Sequence, residues 1–231
     1  MAFQGYTQQT VDFMWGIRFN NERGWFLEHK DDYINTFLTP TRDLGEQVYD
    51  AVHALLPDEP LMLKVSRIYR DARRLFGRGP YKDHLWWCIR TGDKDWTGRP
   101  TFWFELGPDY YSFGLGFWSP AAALMETYRK QIDAHPEELS KLVRQFNRQS
   151  VFTLDGPEYA RSKGQTSDLL RSWYQKKSLS LRWEGPLDER IFTSALAEDI
   201  IAGFKTLIPF YHYFNKLVAL TPRQERRGED A

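Results

Sequence analysis

Between residues 61 and 118 of this 231-residue chain, apolar and polar positions alternate. The segments on either side carry apolar residues at helical spacing. The alternation predicts four strands, near residues 61–69, 84–90, 101–106 and 110–118. Two of the connections are short, residues 91–100 (rich in Gly and Asp) and the turn Gly107-Pro108-Asp109, so these strands are antiparallel neighbours in a meander. Leu85, Trp87 and Ile89 share a face with Phe102, Phe104 and Leu106 and with Tyr111, Phe113, Leu115 and Phe117. A face that apolar needs a cover of helices.

Helices are predicted before and after the meander. Val11, Met14, Trp15 and Phe19 mark one face of a helix over residues 10–19. Asn21 is a good N-cap for a second helix reaching Tyr33, and Thr39-Pro40 reads as the cap and first position of a third. Downstream, Ser119-Pro120 opens a helix to about Ala134 and His135-Pro136 the next, to about Gln149. Residues 151–154 and 179–183 are candidate extra strands, residues 158–165 a loop and residues 166–177 a helix. A helical pattern then runs from Asp188 to Leu220 with a break expected near Pro209. The fold class is therefore α+β: an antiparallel meander sheet packed with N-terminal and C-terminal helices. Residues 1–220 are expected to form one domain, and residues 221–231 a disordered charged tail.

The opposite sheet face is mixed: His84, Trp86, Cys88 and Arg90, then Thr101, Trp103 and Glu105, then Tyr110, Ser112, Gly114, Gly116 and Trp118. Two arrangements suit it. Gly114 and Gly116 can floor a groove walled by Trp86, Trp103 and Trp118, or a second helical layer can pack there. Strand glycines are more often packing devices, which favours the helical layer.

Composition narrows the function classes. Aromatics make up 16% of the chain, nine of them Trp, enough for a thick core and for a stacking groove besides. The formal net charge is zero, which disfavours a nucleic-acid partner and makes any basic patch local. Cys88 is the only cysteine, so an internal disulfide and a thiolate zinc cluster are both excluded, and its place in an apolar strand suits an inert thiol. The N-terminal residues do not read as a secretory signal, and no apolar run is long enough to span a bilayer, so a cytoplasmic protein with no membrane contact is expected.

The local patch is evident. Between Arg67 and Lys82 stand Arg67, Arg70, Arg73, Arg74, Arg78 and Lys82 against one acid, Asp71, a charge of +5. Arginine presents a planar fork suited to carboxylates and phosphates. The cluster is either solvated and ion-paired within the fold, or an anion pocket. In the second case Arg67, Arg70, Arg73 and Lys82 hold the anion, Tyr69 and Tyr81 offer hydroxyls or stacking surfaces, and Asp71 orients an arginine or acts as a base. The five histidines have no ligand spacing, residues 93–98 make a hairpin turn rather than a calcium loop, and Gly114-x-Gly116 lacks the rest of a dinucleotide fingerprint. No metal or cofactor is expected.

Two motifs carry a family resemblance. Asn20-Asn21-Glu-Arg-Gly-Trp25-Phe26 through Lys30 and Tyr33, and Arg67-Ile-Tyr-Arg-Asp71-x-Arg73 followed by Pro80-Tyr81-Lys82, are similar to the opening and second motifs of the bacterial and fungal domain of unknown function 2461. Trp118-Ser-Pro120 with Arg129 and Ile132, and Pro209-Phe210 with Phe214-Asn215, resemble its later regions, so about residues 10–216 are covered. Arg74 stands where the family usually has an aromatic, and Arg78 where it usually has lysine. The resemblance implies a single domain in which the two motifs matter together, and it implies no function; it suggests that the Asn20–Tyr33 helix packs beside the arginine loop, so that Asn20, Asn21, Trp25 and Lys30 line the pocket. The expected ligand is an anionic small molecule, bound for hydrolysis or group transfer. The other class is a non-catalytic module for a protein or single-stranded nucleic acid that uses its aromatics for stacking.

Overall fold

In the computed structural model, residues 2–222 are described except Ala72, Arg74 and Phe76. Helices α1 (Gln8–Phe19), α2 (Arg23–Glu28), α3 (Lys30–Asp32) and α4 (Thr39–Leu55) precede the strands β1 (Leu61–Val65), β2 (Leu85–Thr91), β3 (Pro100–Leu106) and β4 (Tyr111–Phe117). Then come α5 (Ala122–Ala134), α6 (Pro136–Phe146), β5 (Thr153–Asp155), α7 (Arg171–Tyr174), β6 (Ser180–Gly185) and α8 (Ala195–Leu220). The six strands form one sheet in the order β1-β2-β3-β4-β6-β5, antiparallel throughout. This is the expected α+β meander, extended by the two late strands.

Helices α4 and α8 cover the apolar face, α4 over β1 and β2, α8 over β3 and β4. Phe204 of α8 meets Trp87, Phe102 and Phe113, and Tyr211 stacks on Phe102. Buried residues from Phe3 to Leu217 join in one continuous core. No helix of the described residues is long and apolar enough to cross a membrane.

Several local expectations are corrected. Helix α1 buries Thr10, Phe13, Met14 and Ile17, while Trp15 and Phe19 stack on each other at the surface. Helix α4 does open at Thr39-Pro40, but Thr39 is its first helical residue and not its cap: the chain runs helically from Lys30 through a π-helical turn, Tyr33–Leu38, into α4. Pro40 is tolerated at the second position because its missing N–H falls where the hydrogen-bond register changes from π to α. Pro209 likewise lies inside an unbroken α8, whose surrounding core contacts outweigh one lost hydrogen bond. Only Arg171–Tyr174 is helical within residues 166–177. The charged tail from residue 223 onward lies outside the described residues, as does Arg74.

The mixed face is not overlaid by a second helical layer among the described residues: α4 and α8 both pack on the apolar side. Long side chains shelter its small ones instead. The cations of Lys82, Arg90 and Arg182 lie 5.6, 4.7 and 5.8 Å from the rings of Trp86, Trp96 and Trp103. Cys88 is buried beneath, and burial pushes its thiol up to about 11, as suits an inert side chain. The strand glycines serve the sheet itself. A Cβ on Gly114 would meet the Leu181 carbonyl oxygen of β6 at 2.1 Å, and one on Gly116 the Leu179 carbonyl oxygen at 2.5 Å. Gly114→Ala is therefore expected to push β6 off β4 and to destabilise the protein by about 2 kcal/mol, read as a lower urea midpoint. An unchanged midpoint contradicts that account.

Candidate functional site

The arginine segment is the tip of the β1–β2 hairpin. Past Val65 the ladder loosens but continues: Ser66 N–H donates to the Trp86 carbonyl at 2.8 Å, and Lys82 N–H to the Ile68 carbonyl at 2.7 Å. Arg70 N–H donates to the Pro80 carbonyl at 2.8 Å, and Tyr69 faces Tyr81 in an antiparallel bridge. The loop closes with Gly77 at φ +78°, a left-handed conformation that glycine adopts without strain.

Asn21 pins this arm to the N-terminal helices. Its side-chain oxygen accepts from Tyr81 N–H at 2.9 Å, and its amide nitrogen donates to the Tyr81 carbonyl at 2.9 Å. The expected N-cap role falls instead to Glu22, because the Asn21 side chain is committed to the hairpin. Gly79 leaves room for it: a Cβ there would meet the Asn21 oxygen at 2.2 Å. Arg70 Nε donates to the same Tyr81 carbonyl at 2.8 Å. Phe26 stacks on Tyr81 at 4.3 Å and meets Tyr69 edge-on at 5.8 Å. The first and second motifs therefore pack directly against each other.

The remaining predicted residues divide. Asn20 caps the end of α1, its amide donating to the Gly16 carbonyl at 3.0 Å. Trp25 packs on Gly16 and stacks on His29 at 3.9 Å. Lys30 is exposed at the start of α3. Asp71 receives Arg73 through both carboxylate oxygens, at 3.0 and 2.8 Å, and also accepts the Arg73 backbone N–H. Arg73 is thus tied up at the surface, whereas Arg67 is exposed and has no ion pair among the described residues.

Residues that the arginine pattern did not mark complete the end of the sheet. Asp83 accepts from Arg18 Nε at 2.6 Å and His84 Nδ1 at 3.0 Å, with Arg70 Nη2 at 3.9 Å. The hydrogen bond from His84 and that from Arg18 hold the Asp83 carboxyl well below the usual carboxylate range, against the opposing effect of burial. Arg18 also reaches Asp109 in the β3–β4 turn at 3.1 Å. Glu105 accepts from Tyr110 Oη and its charge acts on Lys82. Lys82 is half-buried, and burial, reinforced by the charges of Arg70 and Arg67 and opposed by Glu105, lowers its ammonium to about 8. The triplet Lys82-Asp83-His84 directly before an apolar strand was the available signal, since alternation already put His84 and Trp86 on the mixed face.

Cavities of 540, 650 and 420 Å³ open beside Tyr159, Arg99 and Trp183. None of these three is lined by the described residues of the arginine arm, which lies at the Tyr111 end of the sheet. An antiparallel sheet roofed on one face by helices, with a basic hairpin arm clamped by the N-terminal helices, is the class defined by these features. The chain belongs to the family of conserved hypothetical proteins DUF2461, whose model matches residues 9–213. No curated protein matches the chain.

Proposed function

We propose that the protein binds an anionic small molecule, phosphate- or carboxylate-bearing, on the ledge formed by Arg67, Arg70 and Lys82 beside Trp86. The observation that carries this is the setting of Lys82: half-buried, with its ammonium 5.6 Å from the Trp86 ring, on the same arm as Arg67, which is exposed and has no ion pair among the described residues. Burial and the charges of Arg70 and Arg67 disfavour its positive charge, and a bound anion would offset that. Arg70 doubles as a strut through the Tyr81 carbonyl, so Arg67 and Lys82 are the clean probes. A second reading, catalysis, is favoured by the Asp83–His84 pair: Asp83 fixes His84 Nδ1, which leaves Nε2 to move a proton. Asp71 is instead committed to Arg73 at the surface. The cytoplasmic placement, consistent with one buried cysteine, belongs to the same proposal.

A thermal-shift panel of phosphate, nucleotides, sugar phosphates and dicarboxylates at low salt tests this on wild type, Arg67→Ala and Lys82→Met. A ligand at a hundred times its dissociation constant adds about 2.7 kcal/mol, a shift of several degrees. The shift is expected in wild type and lost in both variants; a shift that survives in Lys82→Met sinks the site. Lys82→Met itself is expected to stabilise the free protein by about 1–2 kcal/mol at pH 7, discounted for partial exposure. The sign follows from the lowered pKa: the unfolded chain holds the Lys82 proton more tightly, so charging this lysine works against folding below about pH 8. The burden on wild type lifts as pH rises toward the ordinary lysine value, and the gain of the variant shrinks with it.

A further inference from the structure

A second gathering of cations lies at the other end of the sheet, where β6 begins. The ring of Tyr159 has Lys163 Nζ at 4.3 Å, the Arg129 guanidinium at 5.0 Å and Lys177 Nζ at 5.3 Å from its centroid. None of the three has a carboxylate within ion-pair distance among the described residues; the nearby acid Glu158 is taken by the buried Lys176 at 2.9 Å. Arg129 reaches the Tyr159 hydroxyl at 3.5 Å, and the Lys176 carbonyl at 3.4 Å, so it arrives from α5 already aimed.

The loop is held in place. Tyr159 N–H donates to the Gln175 carbonyl at 3.0 Å, Lys177 N–H to the Pro157 carbonyl at 2.7 Å, and Lys163 N–H to Gln175 Oε1 at 3.2 Å. Lys176 Nζ adds a bond to the Gly156 carbonyl at 2.9 Å. Tyr159 forms one wall of the 540 Å³ cavity, whose other walls include Ser162, Thr166, Arg171 and Gln175. That volume suits a molecule of nucleotide size, and its lining supplies hydroxyl, amide and guanidinium donors. One aromatic ring can offset only part of the repulsion among three cations.

We propose that Arg129, Lys163 and Lys177, gathered on Tyr159, form a second anion site that takes the phosphate of a small phosphorylated molecule seated in the adjoining cavity. The β4–β6 register sets it apart from the Lys82 ledge: Gly116 pairs with Ser180 at this end of β4, and Tyr111 with Gly185 at the ledge end.

Inorganic pyrophosphate is the probe, titrated calorimetrically at low ionic strength into wild type, Lys163→Ala, Lys163→Ala/Lys177→Ala and Lys82→Met. Both lysine side chains are exposed, and only their backbone N–H groups anchor the loop, so these variants fold. Wild type is expected to bind saturably and Lys82→Met to retain this site, whereas Lys163→Ala weakens it about tenfold and the double variant abolishes it, leaving only what the Lys82 ledge takes. An absence of saturable binding in wild type overturns the proposal. So does equal affinity in the double variant, and loss confined to Lys82→Met assigns the probe to the ledge instead. Binding of a short oligothymidylate without binding of pyrophosphate overturns the small-molecule assignment.

Discussion

Asn21→Ala is expected to lower the unfolding free energy by about 2–3 kcal/mol. The side chain satisfies both backbone groups of Tyr81, and after its removal the Tyr81 N–H has no partner while the carbonyl keeps only Arg70. Tyr81 is buried against Phe26, so water does not readily replace the lost bonds. The loss is local before it is global. Amide exchange at Tyr81 and Lys82 is expected to accelerate more than exchange in β3 or β4, because the hairpin arm is the part the amide clamps. Asn21→Asp is predicted to fall in between or below, since a carboxylate still accepts from Tyr81 N–H but faces its carbonyl with no donor. Equal acceleration across the whole sheet, or no loss of stability, contradicts a clamping role.

The clamp changes what the arginine motif means. Arg70 and Asn21 converge on one carbonyl, so the two sequence motifs share a structural task in addition to any site they build. Replacing Arg70 would loosen the arm and remove a cation together, and loss of ligand binding in that variant would not separate the two effects. Arg67 and Lys82 lack that strut and can be changed with the backbone contacts left in place.

How far the sequence carries follows from the range of the interactions. The strands were legible because alternation is local: Leu85, Trp87 and Ile89 turn to α4 and α8 as their spacing requires. The late strands, expected near residues 151–154 and 179–183, lie at Thr153–Asp155 and Ser180–Gly185. Asn21 was misread because a cap and a clamp on a distant segment use the same amide, and its partner lies 60 residues away. Thr39-Pro40 marks the start of α4 as expected, but not the π-helical turn that leads into it, because such a turn leaves no mark in composition. The arginine cluster was visible as charge, but whether each arginine is free depends on acids at a distance. Asp83 draws in Arg18 from 65 residues upstream, and Arg18 reaches on to Asp109. Lys82 gives no hint of its state in sequence, since that state comes from burial, with Arg70 and Arg67 reinforcing it and Glu105 on the next strand opposing it.

Asp83→Ala is expected to be the most destabilising change at this end of the molecule, about 3 kcal/mol at pH 7. It removes the hydrogen bonds of Arg18 Nε and His84 Nδ1 and the nearby counter-charge of Arg70 at once, from a carboxylate whose side chain is only 17% exposed. The effect has a pH signature. Because the folded state favours the ionised carboxyl, Asp83 contributes fully above the unfolded carboxylate value near 4. As pH falls below about 4 the unfolded chain takes up the proton first, and the contribution drains away by up to about 1.4 kcal/mol per pH unit. Urea unfolding at pH 7, 5, 4 and 3 reads this directly. The gap between wild type and Asp83→Ala is expected to hold steady from pH 7 to 5 and to narrow from 4 to 3. A gap that stays constant to pH 3 means that the arginines are held by other acids and that Asp83 does not organise the ledge. A gap that narrows places the charge of Asp83 at its centre, with His84 oriented by the same carboxylate that holds the arm to α1.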